Sequence, residues 1–113
     1  MTSSSAKTDD PARHGKRLSF WVYILASRVG GTLYIGVAND LIRRVHEHRE
    51  GQAPGFTKKY DVHRLVYFEQ FDDVENAIRQ EKRLKSWNRA WKIRLIEEAN
   101  PNWIDLYYQV AQS

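Results

Sequence analysis

Residues 19–37 read SFWVYILA, then SRVGG, then TLYIGV, and this stretch limits the possible folds more than any other part of the chain. The first segment is aromatic and β-branched, the composition of a strand. The middle segment supplies a turn, with Gly30 and Gly31 able to take positive φ. The third segment is a second strand, so residues 19–37 predict an antiparallel hairpin. Everything after it must pack against that hairpin.

The spacing downstream predicts three helices and a third strand. Asn39 suits a helix N-cap and Asp40 the first turn. This first helix should end near Gly51, a C′ glycine. A loop, GQAPGFTKKY, leads to a strand, HRLVYFEQF. Asp72 followed by Glu75 has the form of a capping box and predicts a helix over about 73–86. A further helix covers about 89–98 and stops before Pro101. The segment IDLYYQV should pack back on the rest. Three strands and three helices make a small α/β domain, with helices against a short, largely antiparallel sheet. The domain is expected over residues 18–110. Residues 1–17 are polar, carry a Pro and a Gly, and read as a disordered lead-in without the apolar core of a signal peptide.

Composition removes several chemistries. The chain has 113 residues and no cysteine, which excludes disulfides, thiolate zinc sites and thiol nucleophiles. No run is apolar enough to span a membrane, and a cytoplasmic protein is expected. The net charge of +4 is modest, but its distribution is not. Arg79, Lys82, Arg83, Lys85, Arg89, Lys92 and Arg94 fall within sixteen residues that hold one acid, Glu81. A segregated basic surface suits a polyphosphate partner, although a solvated helix face has the same composition. Trp87 and Trp91 sit in this stretch and could stack on bases or fill the core.

Three sets of residues look misplaced for a purely structural role. On the first helix, Leu41, Val45 and His48 share one side, and Arg44 borders them one turn before His48. On the second helix, Glu81 falls between Ala77, Ile78 and Leu84 on the apolar face. A carboxylate there must be paired, protonated or bound to a metal. Lys85, at i+4, offers a salt bridge; a hard cation such as Mg²⁺ offers the alternative. Tyr23 and Tyr34 lie on the two hairpin strands. Tyrosine, arginine, histidine and one carboxylate together suit phosphodiester chemistry. A zinc site at HEH is excluded by geometry, since His46 and His48 diverge by about 200° on a helix.

These residues resemble the GIY-YIG nucleases. The two name-giving motifs correspond to WVY (Trp21 to Tyr23) and YIG (Tyr34 to Gly36). Arg44, ten residues after Tyr34, matches the family's catalytic arginine. His48 follows four residues later, and Glu81 matches the single metal-binding glutamate. EKRLKSWNRAWKIRLIE and the following NPNWIDL are similar to a small stand-alone bacterial branch, whose members are likened to a nucleotide-excision nuclease (excinuclease). Trp21 and Val22 replace the motif's Gly and Ile. No asparagine matches the one that helps shape the site in other branches; Asn88 stands too early, and Lys92 is a candidate in its place.

The resemblance implies a three-stranded antiparallel sheet flanked by helices, and metal-dependent hydrolysis of DNA selected by structure rather than sequence, in repair or processing. It implies that Tyr23, Tyr34, Arg44, His48 and Glu81 are catalytic, with Glu81 holding Mg²⁺ or Mn²⁺. Arg43, Lys58, Lys59, Lys82 and Lys85 are the expected phosphate contacts. The rival reading is a nuclease fold that binds nucleic acid without cutting it; a protein-interaction domain leaves the basic clustering unexplained.

Overall fold

The computed structural model describes residues 19–51, 55 and 59–112. Three strands form one sheet: β1 (Phe20–Ala26), β2 (Leu33–Ala38) and β3 (Arg64–Phe71), in the order β2-β1-β3. Both pairings are antiparallel, with Tyr23 opposite Gly36 on one side and Phe68 on the other. A bulge in the β1–β3 pairing falls between Ile24 and Leu25. The helices are α1 (Leu41–Arg49), α2 (Val74–Ser86), α3 (Arg89–Ala99) and a short α4 (Tyr107–Ala111). This is the expected α/β arrangement, a three-stranded antiparallel sheet flanked by helices.

Strand β1 is central and buried from Val22 to Ala26, which explains its unbroken apolar run. Alternate residues face opposite layers. Val22, Ile24 and Ala26 join Ile35 and Val66 in a core completed by Ala77 and Leu84 of α2 and Ile96 of α3. Tyr23 and Leu25 enter a second core with Leu41 and Val45 of α1. The hairpin therefore carries a helical layer on each face, and β2 is left as a sheet edge.

Local boundaries move by a residue or two from those expected. The N-cap of α1 is Asp40, not Asn39; its carboxylate accepts from the Arg43 N–H at 3.1 Å. The N-cap of α2 is Asp73, accepting from the Asn76 N–H, so Asp72 and Glu75 do not form a capping box. Asx residues stand side by side at both starts, and the extended backbone at Asp40 and Asp73 decides which one caps. Asn88 caps α3 by accepting from the Trp91 N–H at 2.9 Å, a structural task. Gly51 takes positive φ after α1, as expected of a C′ glycine. Gly30 takes positive φ in the hairpin turn, whereas Gly31 does not; a Cβ on Gly31 would collide with Ser27 Oγ.

Two long-range clasps fix the layers. Arg89 donates to the carbonyls of Gly30 and Gly31, both at 2.6 Å, tying the start of α3 to the hairpin turn. Arg49, at the end of α1, donates to Asp105 at 2.7 Å and to the Tyr108 hydroxyl at 2.8 Å. Its guanidinium also lies 4.8 Å from the Tyr107 ring centroid. Asp105 in turn accepts from the Leu65 and Tyr107 N–H groups. The segment expected to pack back thus does so, as α4, with Leu106, Tyr107 and Val110 against the second core.

Candidate active site

The register places Tyr23 across from Gly36, and the Tyr23 ring lies over that glycine. A Cβ on residue 36 would come within 2.5 Å of the phenol oxygen and 2.7 Å of Cζ. Glycine here makes a hollow for an aromatic ring. The side chain of Tyr23 is 0% exposed, and its hydroxyl is 3.2 Å from His48 Nε2. His48 reaches it because Leu41, Val45 and His48 form the buried stripe of α1, as the helical period required. His46 is exposed on another side of the helix.

Tyr34 completes the aromatic group. Its ring centroid is 5.2 Å from that of His48 and 6.3 Å from that of Tyr23. Unlike Tyr23, Tyr34 is only partly buried. It lines a surface cleft with Leu33, Ile35, Lys85 and Lys92 along the β2 edge. Arg44 stands beside the group, with its side chain 43% exposed. It pairs with Glu47 at 3.3 Å, and Glu47 also accepts from Arg43 at 3.2 Å. One carboxylate thus bridges both arginines, although the helical period sets Glu47 off the Leu41–Val45–His48 side.

The electrostatics follow from this packing. Burial and then Tyr34 push the Tyr23 phenol well above its ordinary value, against the pull of the nearby Arg44 guanidinium. Burial and then Arg44 push His48 below its usual 6.5, with Glu47 opposing. At neutral pH the buried pair is therefore a neutral phenol and a neutral imidazole. A neutral imidazole can accept a proton, and a phenol can relay one.

Glu81 lies on the sheet-facing side of α2, its side chain 15% exposed. Its Oε2 pairs with Lys85 Nζ at 2.8 Å, and Lys85 lines the Tyr34 cleft. Among the described residues, no group of three or more His, Cys, Asp or Glu side chains gathers as a metal cage. A single recessed carboxylate, one ion pair removed from a cleft lined by Lys85 and Lys92, does suit a hard cation that keeps its waters and shares a phosphate. The structure thus groups Tyr23, Tyr34, His48 and Arg44, and connects Glu81 to them through Lys85. Of the expected phosphate contacts, Arg43, Lys59 and Lys82 are exposed. Lys59 lies 5.4 Å from the Tyr60 ring centroid, and Lys58 falls outside the described residues. Lys92, the candidate for the place of the missing asparagine, lines the cleft beside Tyr34. It stands on α3, seven residues after Lys85 of α2 and beyond the break at Trp87 and Asn88.

Residues 19–94 match the family model of the GIY-YIG catalytic domain. The chain is 36% identical over 78 residues to a UPF0213 protein of Staphylococcus saprophyticus, covering 69% of this chain and 94% of that one. It is 38% identical over 80 residues to a UPF0213 protein of Staphylococcus aureus, covering 71% and 96%. The solution NMR structure of the UPF0213 protein BH0048 from Bacillus halodurans is similar at 31% identity and a TM-score of 0.45. That match covers 71% of this chain and 84% of the other. No helix among the described residues is long and apolar enough to cross a membrane.

Proposed function

This chain belongs to the GIY-YIG catalytic-domain family, and we propose from that premise that it is a metal-dependent DNA endonuclease. The observation that carries the reading is the buried Tyr23–His48 hydrogen bond behind a surface tyrosine, with Arg44 beside them. In this reading a phosphodiester enters the β2-edge cleft between Tyr34 and Lys85. Water attacks phosphorus, the bond to the 3′ oxygen breaks, and the water's proton passes to the Tyr34–His48 pair. Tyr34 faces the reacting water because Tyr23 is sealed from solvent; Tyr23 holds His48 in place. Arg44 stabilises the charge that builds on the non-bridging oxygens. Mg²⁺ or Mn²⁺ held by Glu81 would supply charge stabilisation at the leaving oxygen. Arg43, Lys59, Lys82 and Lys85 contact phosphates along the strand, and Lys58 is assigned the same task. A cytoplasmic role in DNA repair or processing goes with the same reading.

The Glu81–Lys85 ion pair favours a second reading, in which Glu81 is structural and the fold binds nucleic acid without cutting it. A cleavage assay on plasmid, single-stranded and branched DNA with Mg²⁺, Mn²⁺ or EDTA separates the two. Metal-dependent cutting that Glu81→Ala abolishes, with DNA binding retained, supports the nuclease. Binding without cutting on every substrate supports the alternative.

A further inference from the structure

The two tryptophans of the basic stretch have different fates. Trp87 is partly buried and packs against the first core. Trp91 meets it edge to face, ring centroids 5.8 Å apart, and stays 52% exposed. Together with Arg94, Leu95 and Glu98 they line a cleft of about 250 Å³. That is below the roughly 300–1,000 Å³ of sites for drug-sized ligands and suits a single ring system. Its neighbour on α3 is Lys92, which lines the Tyr34 cleft. The Arg89 clasp to the hairpin turn holds this part of α3 against the sheet edge.

We propose that the Trp91 cleft takes one unpaired nucleobase of the DNA whose phosphate lies at Lys85 and Lys92, so that the preferred substrate carries a single-stranded segment beside the cut. This rests on the nuclease reading and narrows its substrate. The wall chemistry decides what enters. Glu98 repels a phosphate but accepts a hydrogen bond from the amino edge of a base. The Trp91 face offers stacking, which every base can use. Arg94 on the same cleft and Lys92 beside it supply positive charge for the adjoining backbone. A base inside a duplex is stacked on its neighbours and cannot reach Trp91; an unpaired one can.

The test measures binding, with the metal withheld, of a single-stranded oligonucleotide, a duplex with a single-stranded flap, and a blunt duplex. The full chain is compared with Trp91→Ala and Trp91→Phe. Loss of one stacked base corresponds to roughly 5- to 150-fold in affinity. The expected result is that loss for Trp91→Ala on single-stranded and flap DNA, no comparable loss on blunt duplex, and substantial recovery in Trp91→Phe. Circular dichroism should be unchanged and melting should fall only slightly, because Trp91 is half exposed and its packing is confined to the edge contact with Trp87 and the cleft walls. Equal affinity of parent and Trp91→Ala for single-stranded DNA overturns the proposal, as does an equal loss on all three probes. Failure of the nuclease reading shows separately, as absent cleavage by the parent when metal is restored.

Discussion

Gly36→Ala tests the core of the site. The added methyl would lie 2.5 Å from the Tyr23 hydroxyl and 2.7 Å from Cζ. Ordinary contact needs about 3.5 Å, so the ring must retreat by about 1 Å. The Tyr23–His48 hydrogen bond starts at 3.2 Å and is lost beyond about 3.5 Å. Overpacking of this kind costs about 1–3 kcal/mol, and the broken buried pair adds about 1–3 kcal/mol. Replacing a strand glycine returns about 0.5–1 kcal/mol. The net expectation is destabilisation by about 1–5.5 kcal/mol; its centre, about 3 kcal/mol, is a fall in Tm of roughly 12–24 °C for a domain this small. Urea titration and thermal melting measure the first effect. Cleavage assayed well below the variant's Tm measures the second, a further loss because His48 is no longer held. Tyr23→Phe removes the nearer clash but not the Cζ contact, so the double variant should recover only part of the stability. If Gly36→Ala lies within about 0.5 kcal/mol of the parent and cuts normally, Tyr23 is not wedged over residue 36. The proposed positioning of His48 then fails.

Three other outcomes are expected. Arg44→Ala should lower cleavage by roughly 10²–10³-fold while DNA affinity, read by fluorescence anisotropy, changes far less; equal losses would remove its transition-state role. Stability should decline as pH drops below 6.5, because the unfolded chain then takes up a proton that buried His48 resists. His48→Gln should flatten that part of a urea-midpoint profile, and an unchanged slope would mean another group is responsible. Asp105→Asn should cost about 1–3 kcal/mol by weakening the charge-assisted contact to Arg49, and a neutral result in urea would show that α4 is held by its apolar contacts alone.

Much of the site could be read from the chain because its parts obey short periods. Leu41, Val45 and His48 share a helical face, and that face is buried. Glu81 among Ala77, Ile78 and Leu84 was legible for the same reason, as was its Lys85 partner at i+4. The hairpin was legible from its turn glycines and flanking apolar runs. What sequence reasoning lacked was register. Only the Tyr23–Gly36 pairing explains why residue 36 has no side chain. The bridging of Arg43 and Arg44 by Glu47 also escaped it, because a long carboxylate reaches across helical faces that the period separates. Val74 continues the apolar period of α2 at its first residue, yet it is exposed, whereas Ala77 and Leu84 are buried. The Arg49–Asp105 clasp joins residues 56 apart, and no local pattern announces such a contact.

That clasp has a consequence for synthesis. Chains emerge from the ribosome N-terminus first and domains fold as units. The hairpin and α1, carrying Tyr23, Tyr34, Arg44 and His48, are made early. Yet the layer over Tyr23 and Leu25 is finished only when Asp105 captures Arg49 and Leu106, Tyr107 and Val110 settle beneath it. A nascent chain halted before residue 105 carries Tyr23, Tyr34, Arg44 and His48 and lacks the Asp105 and α4 contacts that close the layer over Tyr23. Closure of the second core thus waits for the last part of the chain to arrive, although the strands and α1 that it covers are made first.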